Sequence, residues 1–154
     1  MKEFFKAILA LVVFFSATFL YAAQNSPVGE WKTVDDKTKK VESIVKIWKD
    51  SDGKLRGKIK SLVIKPGEEK NPLCDKCKGK LANKPIIGMT FLWGFKEKKK
   101  GNGNYWISGK ILDPDDGKVY SCKMTMSKNK KSLVVRGYVG ISLFGRSQTW
   151  LRNK

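Results

Sequence analysis

A chain of 154 residues with 32 lysines and arginines against 14 acidic residues carries a formal net charge of +18, and it contains no histidine. The length is that of one ordinary domain, and the missing histidine removes the commonest general base, the usual metal ligand and the standard partner of a nucleophilic serine or cysteine. Three cysteines alone also fall short of a closed zinc site, so no catalytic residue, metal or cofactor is expected.

The chain opens MKEFFKAILALVVFFSATFLYAAQNS. Lys2 and Lys6 give a positive start, Ala7 to Leu20 is apolar or small, and Tyr21-Ala22-Ala23 places small residues before polar Gln24-Asn25-Ser26. That order predicts a secretory signal peptide over residues 1–23. The apolar run is shorter than the roughly 20 residues of a spanning helix. Removal of the leader takes away Lys2, Glu3 and Lys6, a net +1, so the mature chain 24–154 keeps +17 of the formal +18. The expected destination is the periplasm or the medium.

Past the leader there is almost no helical periodicity. Short runs of β-branched and aromatic residues alternate with Gly, Asn, Asp and Pro, which predicts eight strands in a single domain. They are read at 29–35, 41–49, 54–62, 86–95, 105–112, 118–126, 133–139 and 145–152. The third has the clearest period of two, with Leu55, Gly57 and Ile59 on one side and Arg56, Lys58 and Lys60 on the other. "DSDG" at Asp50 to Gly53 and "DPDDG" at Asp113 to Gly117 are strong turns. In the sixth run Tyr120, Cys122, Met124 and Met126 share a face. Eight antiparallel strands joined by tight turns dispose of both exposed edges by closing on themselves. The expected fold is therefore all-β, an eight-stranded up-and-down antiparallel barrel, with a β-sandwich as the competing arrangement.

One long connection interrupts the meander. It contains "NPLCDKCKGKLANKPIIG", Asn71 to Gly88, with Cys74 and Cys77 two residues apart among lysines. Neighbouring lysines would lower a thiol pKa and suit a thiol-disulfide centre, but such centres usually open a helix in a βαβ unit. In an oxidising compartment a disulfide that stiffens the loop is the simpler outcome. Cys122 is left over and reads as a buried apolar thiol.

The last strand carries the candidate binding residues. Arg146, Gln148, Trp150 and Arg152 alternate onto one face. With that face inward, Arg146 and Gln148 hold a carboxylate or headgroup inside an apolar cavity, beside Trp150 and Tyr120. A single bulge would turn the face outward. Gly29-Glu30-Trp31 begins the first strand, and in a closed meander its start lies beside the end of the last strand. Gly29, Trp31 and Arg152 should then form the closure, with the guanidinium stacked on the indole.

A Gly-x-Trp start and a late arginine are also found in the lipocalin and fatty-acid-binding superfamily, which this chain resembles at those positions. Longer stretches, "GEWKTVDD", "NPLCDKCKGKLANKPIIGM", "GKILDPDDGKVYSCKM" and "VRGYVGISLFGRSQTWLR", resemble a family of exported bacterial proteins known only as a domain of unknown function with a lipocalin-like β-barrel. The resemblance implies fold and location but no activity. The leading expectation is a non-catalytic barrel that binds a small hydrophobic or amphiphilic anionic ligand. A second reading is a basic envelope-surface protein with a filled barrel, attracted to anionic membrane or lipopolysaccharide. A third is a thiol-disulfide protein using Cys74 and Cys77. Nucleic acid is not an expected partner: the only arginines are Arg56, Arg136, Arg146 and Arg152, and base and phosphate recognition favours the arginine fork.

Overall fold

A computed structural model describes residues 26–100 and 103–154; the expected signal peptide, 1–23, lies outside the described residues. The strands are β1 (Gly29–Val34), β2 (Val41–Lys49), β3 (Leu55–Leu62), β4 (Thr90–Lys100), β5 (Gly103–Asp113), β6 (Lys118–Met126), β7 (Ser132–Tyr138) and β8 (Gly145–Arg152). Each is antiparallel to the next, and β8 returns to β1 through Trp31↔Arg152 and Lys32↔Leu151, which closes the barrel. A single 3-10 turn, Gly79–Leu81, sits in the long β3–β4 connection.

The alternation read from the sequence is the alternation of burial. Leu55, Gly57 and Ile59 of β3 are buried while Arg56 and Lys60 are exposed, and Cys122, Met124 and Met126 of β6 are buried in turn. The fourth strand departs from expectation at both ends. Ile86 is occupied elsewhere, its N–H donating to Pro72 O (2.9 Å), and Gly88 lies at a φ of 89° with its N–H on Ile59 O (2.7 Å). Pairing with β5 therefore starts only at Leu92↔Ile111, and it runs on through Lys96, Lys98 and Lys99, past the expected end of the strand at Phe95. The lysine side chains point into water, so the ladder extends without burying charge.

In an up-and-down barrel, alternate connections gather at opposite ends. The β1–β2, β3–β4, β5–β6 and β7–β8 connections share one end, and the remaining turns share the other with the β1 start and β8 end. The second end is solid. Trp31, Ile47, Leu55, Phe95, Trp106 and Met124 are all buried there, close-packed as protein interiors are. Room for the Phe95 ring comes from Gly109, where a Cβ would stand 2.2 Å from its Cε1.

Arg152 seals that end. Its guanidinium lies 4.2 Å from the Trp31 ring centroid and donates to Lys130 O (2.9 Å), Ser26 O (3.0 Å) and Val28 O (3.3 Å). The Trp31 indole N–H donates to Pro27 O at 2.7 Å. Gly29 keeps the space clear, since a Cβ there would meet Arg152 Nη1 at 3.3 Å.

Candidate functional site

The other half of the barrel is hollow. A cavity of about 760 Å³ opens among the four connections at that end, within the range of small-molecule sites. Arg146, Gln148, Trp150 and Tyr120 all line it, so one cavity brings together the four residues singled out in the sequence. Arg152, on the same strand face, lies at the closed end instead.

Trp150 forms part of the floor with Phe91, their ring centroids 6.2 Å apart and tilted by 36°. Ile59, Ile111 and Val135 continue the apolar wall. Trp150 is fixed from below the rim: its indole N–H donates to Gln148 Oε1 at 2.6 Å, and Gln148 Nε2 donates to Val34 O at 3.2 Å. Gln148 thus anchors an aromatic surface, and half of its hydrogen-bonding capacity is turned to that task. Between floor and rim lies a buried hydroxyl pair, Thr33 and Ser43, with oxygens 2.8 Å apart. One O–H serves the contact, leaving a second O–H and several lone pairs for whatever enters.

The rim is charged. Asp35, Glu42, Asp113 and Asp115 line it together with Arg146. Arg146 donates through Nη2 (2.8 Å) and Nε (3.2 Å) to Asp36 Oδ2, and that bond raises its pKa. Burial pushes the carboxyls of Glu42 and Asp113 above the ordinary carboxylate range, with nearby Asp35 and Asp115 adding to Glu42. Asp35 is held below its ordinary range by the Thr38 backbone N–H, which caps the β1–β2 turn. Tyr120 donates its hydroxyl to Asp116, which raises the phenol's pKa and lowers that of Asp116.

Cys74 and Cys77 form a disulfide, and both are buried. Their loop is folded back on itself by Cys74 N–H to Lys84 O (2.9 Å) and Asn83 N–H to Cys74 O (3.0 Å). It packs on the β5–β6 turn: the Cys74 sulfur lies 3.6 Å from Pro114 O, and Lys76 Nζ donates to Asp115 O at 2.7 Å. The disulfide therefore stiffens one wall of the cavity mouth. Cys122 is buried and unpaired, and desolvation pushes its thiol up to about 12.

Two features of the site escaped the sequence reading. The hydroxyl pair was accessible in principle, because Thr33 follows Trp31 by two residues on the same inward face. The β7–β8 connection was the other. Val139, Ile141, Leu143 and Phe144 are exposed by 65%, 60%, 74% and 68%, and Val139 and Phe144 reach the cavity. Arg136 holds this apolar tip by donating to Ser142 O (2.7 Å) and Leu143 O (3.1 Å). The signal available was an apolar run between Gly140 and Gly145 with too few residues for a strand.

The model of a family described as "Uncharacterized protein conserved in bacteria" matches residues 29–152. Among solved structures, a protein from the human pathogen Helicobacter pylori, described as belonging to the lipocalin family, is similar with a TM-score of 0.68. Its identity is 22% over 84% of each chain, a likeness of fold. The search of curated proteins found no match.

Proposed function

The chain belongs to that uncharacterised bacterial family, with a lipocalin-like barrel, and from this premise we propose that it is a non-catalytic binding protein for one small apolar or amphiphilic molecule. The observation that carries the reading is the hollow half of the barrel, with an aromatic floor and a polar rim. Burial of the ligand's own apolar surface, against this floor and against the exposed Val139 and Phe144 at the mouth, supplies the affinity, and the few polar groups orient the molecule. The apolar end enters first and the headgroup stays among Tyr120, Arg146 and the acidic residues. An anionic headgroup would have to take Arg146 from Asp36.

The Cys74–Cys77 disulfide supports work in an oxidising compartment. We extend this to export: residues 1–23 act as a signal peptide, and 24–154 work as one domain in the periplasm or outside the cell. Use of the pair as a redox centre is disfavoured because both cysteines are buried, which closes the approach an attacking thiolate needs.

The test is mass spectrometry of an organic extract from protein purified out of its native compartment. A small molecule recovered at close to one per chain is expected. Repeated extracts containing no such molecule, from protein that also fails to bind lipid-like probes, would rule the reading out.

A further inference from the structure

The charge on the cavity is opposite to the charge on the protein. Lysines and arginines outnumber acidic residues by 32 to 14 in the chain, yet the lining holds four carboxylates and a single cationic side chain, Arg146. That cation is already hydrogen-bonded to Asp36 and its charge is shared among Asp35, Glu42 and Asp113, so one cationic side chain of the lining faces four carboxylates. The lysines lie outside the lining, and the charge of Lys65, in the β3–β4 connection, reaches Glu42. Lys76 reaches the backbone carbonyl of Asp115, and Lys118 lies 3.9 Å from Asp116, which does not line the cavity.

We infer that the cavity selects a cationic amphiphile, an apolar chain or ring system ending in an ammonium-type group, over an anionic one of the same apolar part. The inference rests on the binding reading above and names the class of ligand. Three observations support it together: an enclosed apolar floor, an acidic rim, and the buried Thr33–Ser43 hydroxyls between them. Hydroxyl and carboxylate oxygens both accept hydrogen bonds, and an ammonium group offers only donors. Carboxylates raised by burial, as Glu42 and Asp113 are, are those that gain from a partner of opposite charge.

The overall positive charge does not reverse this preference. At physiological ionic strength, fields fade over about 8 Å, so lysines on distant turns are screened from a bound headgroup. Carboxylates in contact with it are not. The protein's bulk charge governs what approaches from afar, and the lining governs what stays.

Calorimetric titration of the exported chain with decylammonium, decanoate and decanol at pH 7.5 and 150 mM salt separates the claims. All three share one apolar chain, and the first two are oppositely charged. Decylammonium should bind at least about tenfold more tightly than decanoate, as expected when one unit charge changes sign beside several carboxylates, with decanol between. Glu42→Gln/Asp115→Asn should shrink that gap to about threefold or less, chiefly by weakening decylammonium. Both substitutions keep the shape of the side chain and remove its charge. Decanoate binding as tightly as decylammonium, or a gap that survives the double substitution, overturns the charge preference and leaves the binding reading standing. Absence of binding by all three removes both.

Discussion

Replacing Trp31 with alanine is expected to cost the barrel about 3–5 kcal/mol, the usual range for deleting a buried large aromatic. In a domain of this size that lowers the melting temperature by about 10–15 °C. Trp31 is fully buried, its indole N–H is bonded to Pro27 O, and its face carries the Arg152 guanidinium 4.2 Å away. It also sits in the shortest seam of the barrel, where β1 meets β8 over two residue pairs. The alanine variant leaves a void, an unanswered carbonyl and an arginine with nothing beneath it. Trp31→Phe keeps a ring and loses the hydrogen bond, so it should fall between the two. Thermal unfolding followed by circular dichroism measures all three proteins. A loss below about 1 kcal/mol in Trp31→Ala, the size of an ordinary surface change, would mean that this seam does not hold the barrel shut.

Gly117→Ala should be nearly as damaging, for a different reason. Gly117 adopts a φ of +68°, where a side chain already costs about 1–2 kcal/mol. A Cβ there would also stand 1.9 Å from Lys76 O and 2.4 Å from its carbonyl carbon. Backbone atoms of a disulfide-closed loop cannot swing aside as a side-chain end can. The loop must lift off the β5–β6 turn, and the expected destabilisation is at least about 3 kcal/mol. Gly53→Ala is the matched control, with a φ of +73° and nothing within 4 Å of a new Cβ, so it carries the backbone cost alone. Hydrogen exchange should speed up around Cys74 to Lys84 and Asp113 to Gly117 in the Gly117 variant only. Equal effects of the two substitutions would show that the loop does not dock on the turn as described.

Much of this fold is written in local alternation. Strands β2, β6 and β8 have the limits that period and turn residues suggest, because each is bounded by residues that cannot continue a ladder comfortably. Where the expected limits moved, non-local contacts decided. Ile86 carries a strand-like side chain but gives its N–H to Pro72, and Lys96 to Lys99 look like a turn but find partners on β5. Neither partner can be seen from a window of neighbouring residues. The closure was legible because an up-and-down order forces the chain's first and last strands together, so Trp31 and Arg152 follow from topology.

The site was legible only in part. Alternation along β8 places Arg146, Gln148 and Trp150 on one face, and the barrel turns that face into the cavity. Their partners were not readable. Asp36 lies 110 residues from the arginine it binds, and Gln148 holds Trp150 while spanning to Val34 O across the β8–β1 seam. An isolated arginine suggests an anionic ligand, whereas the same arginine among five carboxylates suggests something else. The acidic rim is assembled from two separate turns and the start of β2, each of which looks ordinary alone.

The central claim is that the open half of the barrel takes up one apolar molecule. Titration with the neutral fluorophore N-phenyl-1-naphthylamine tests it most directly, in the wild-type chain and in Ile111→Trp, which puts a larger side chain into the cavity wall. The account predicts saturable binding of one probe per chain, weakened by at least about tenfold in a variant whose folding is unchanged. Wild-type protein that gives no saturable signal, or an Ile111→Trp protein that binds equally well, would contradict it.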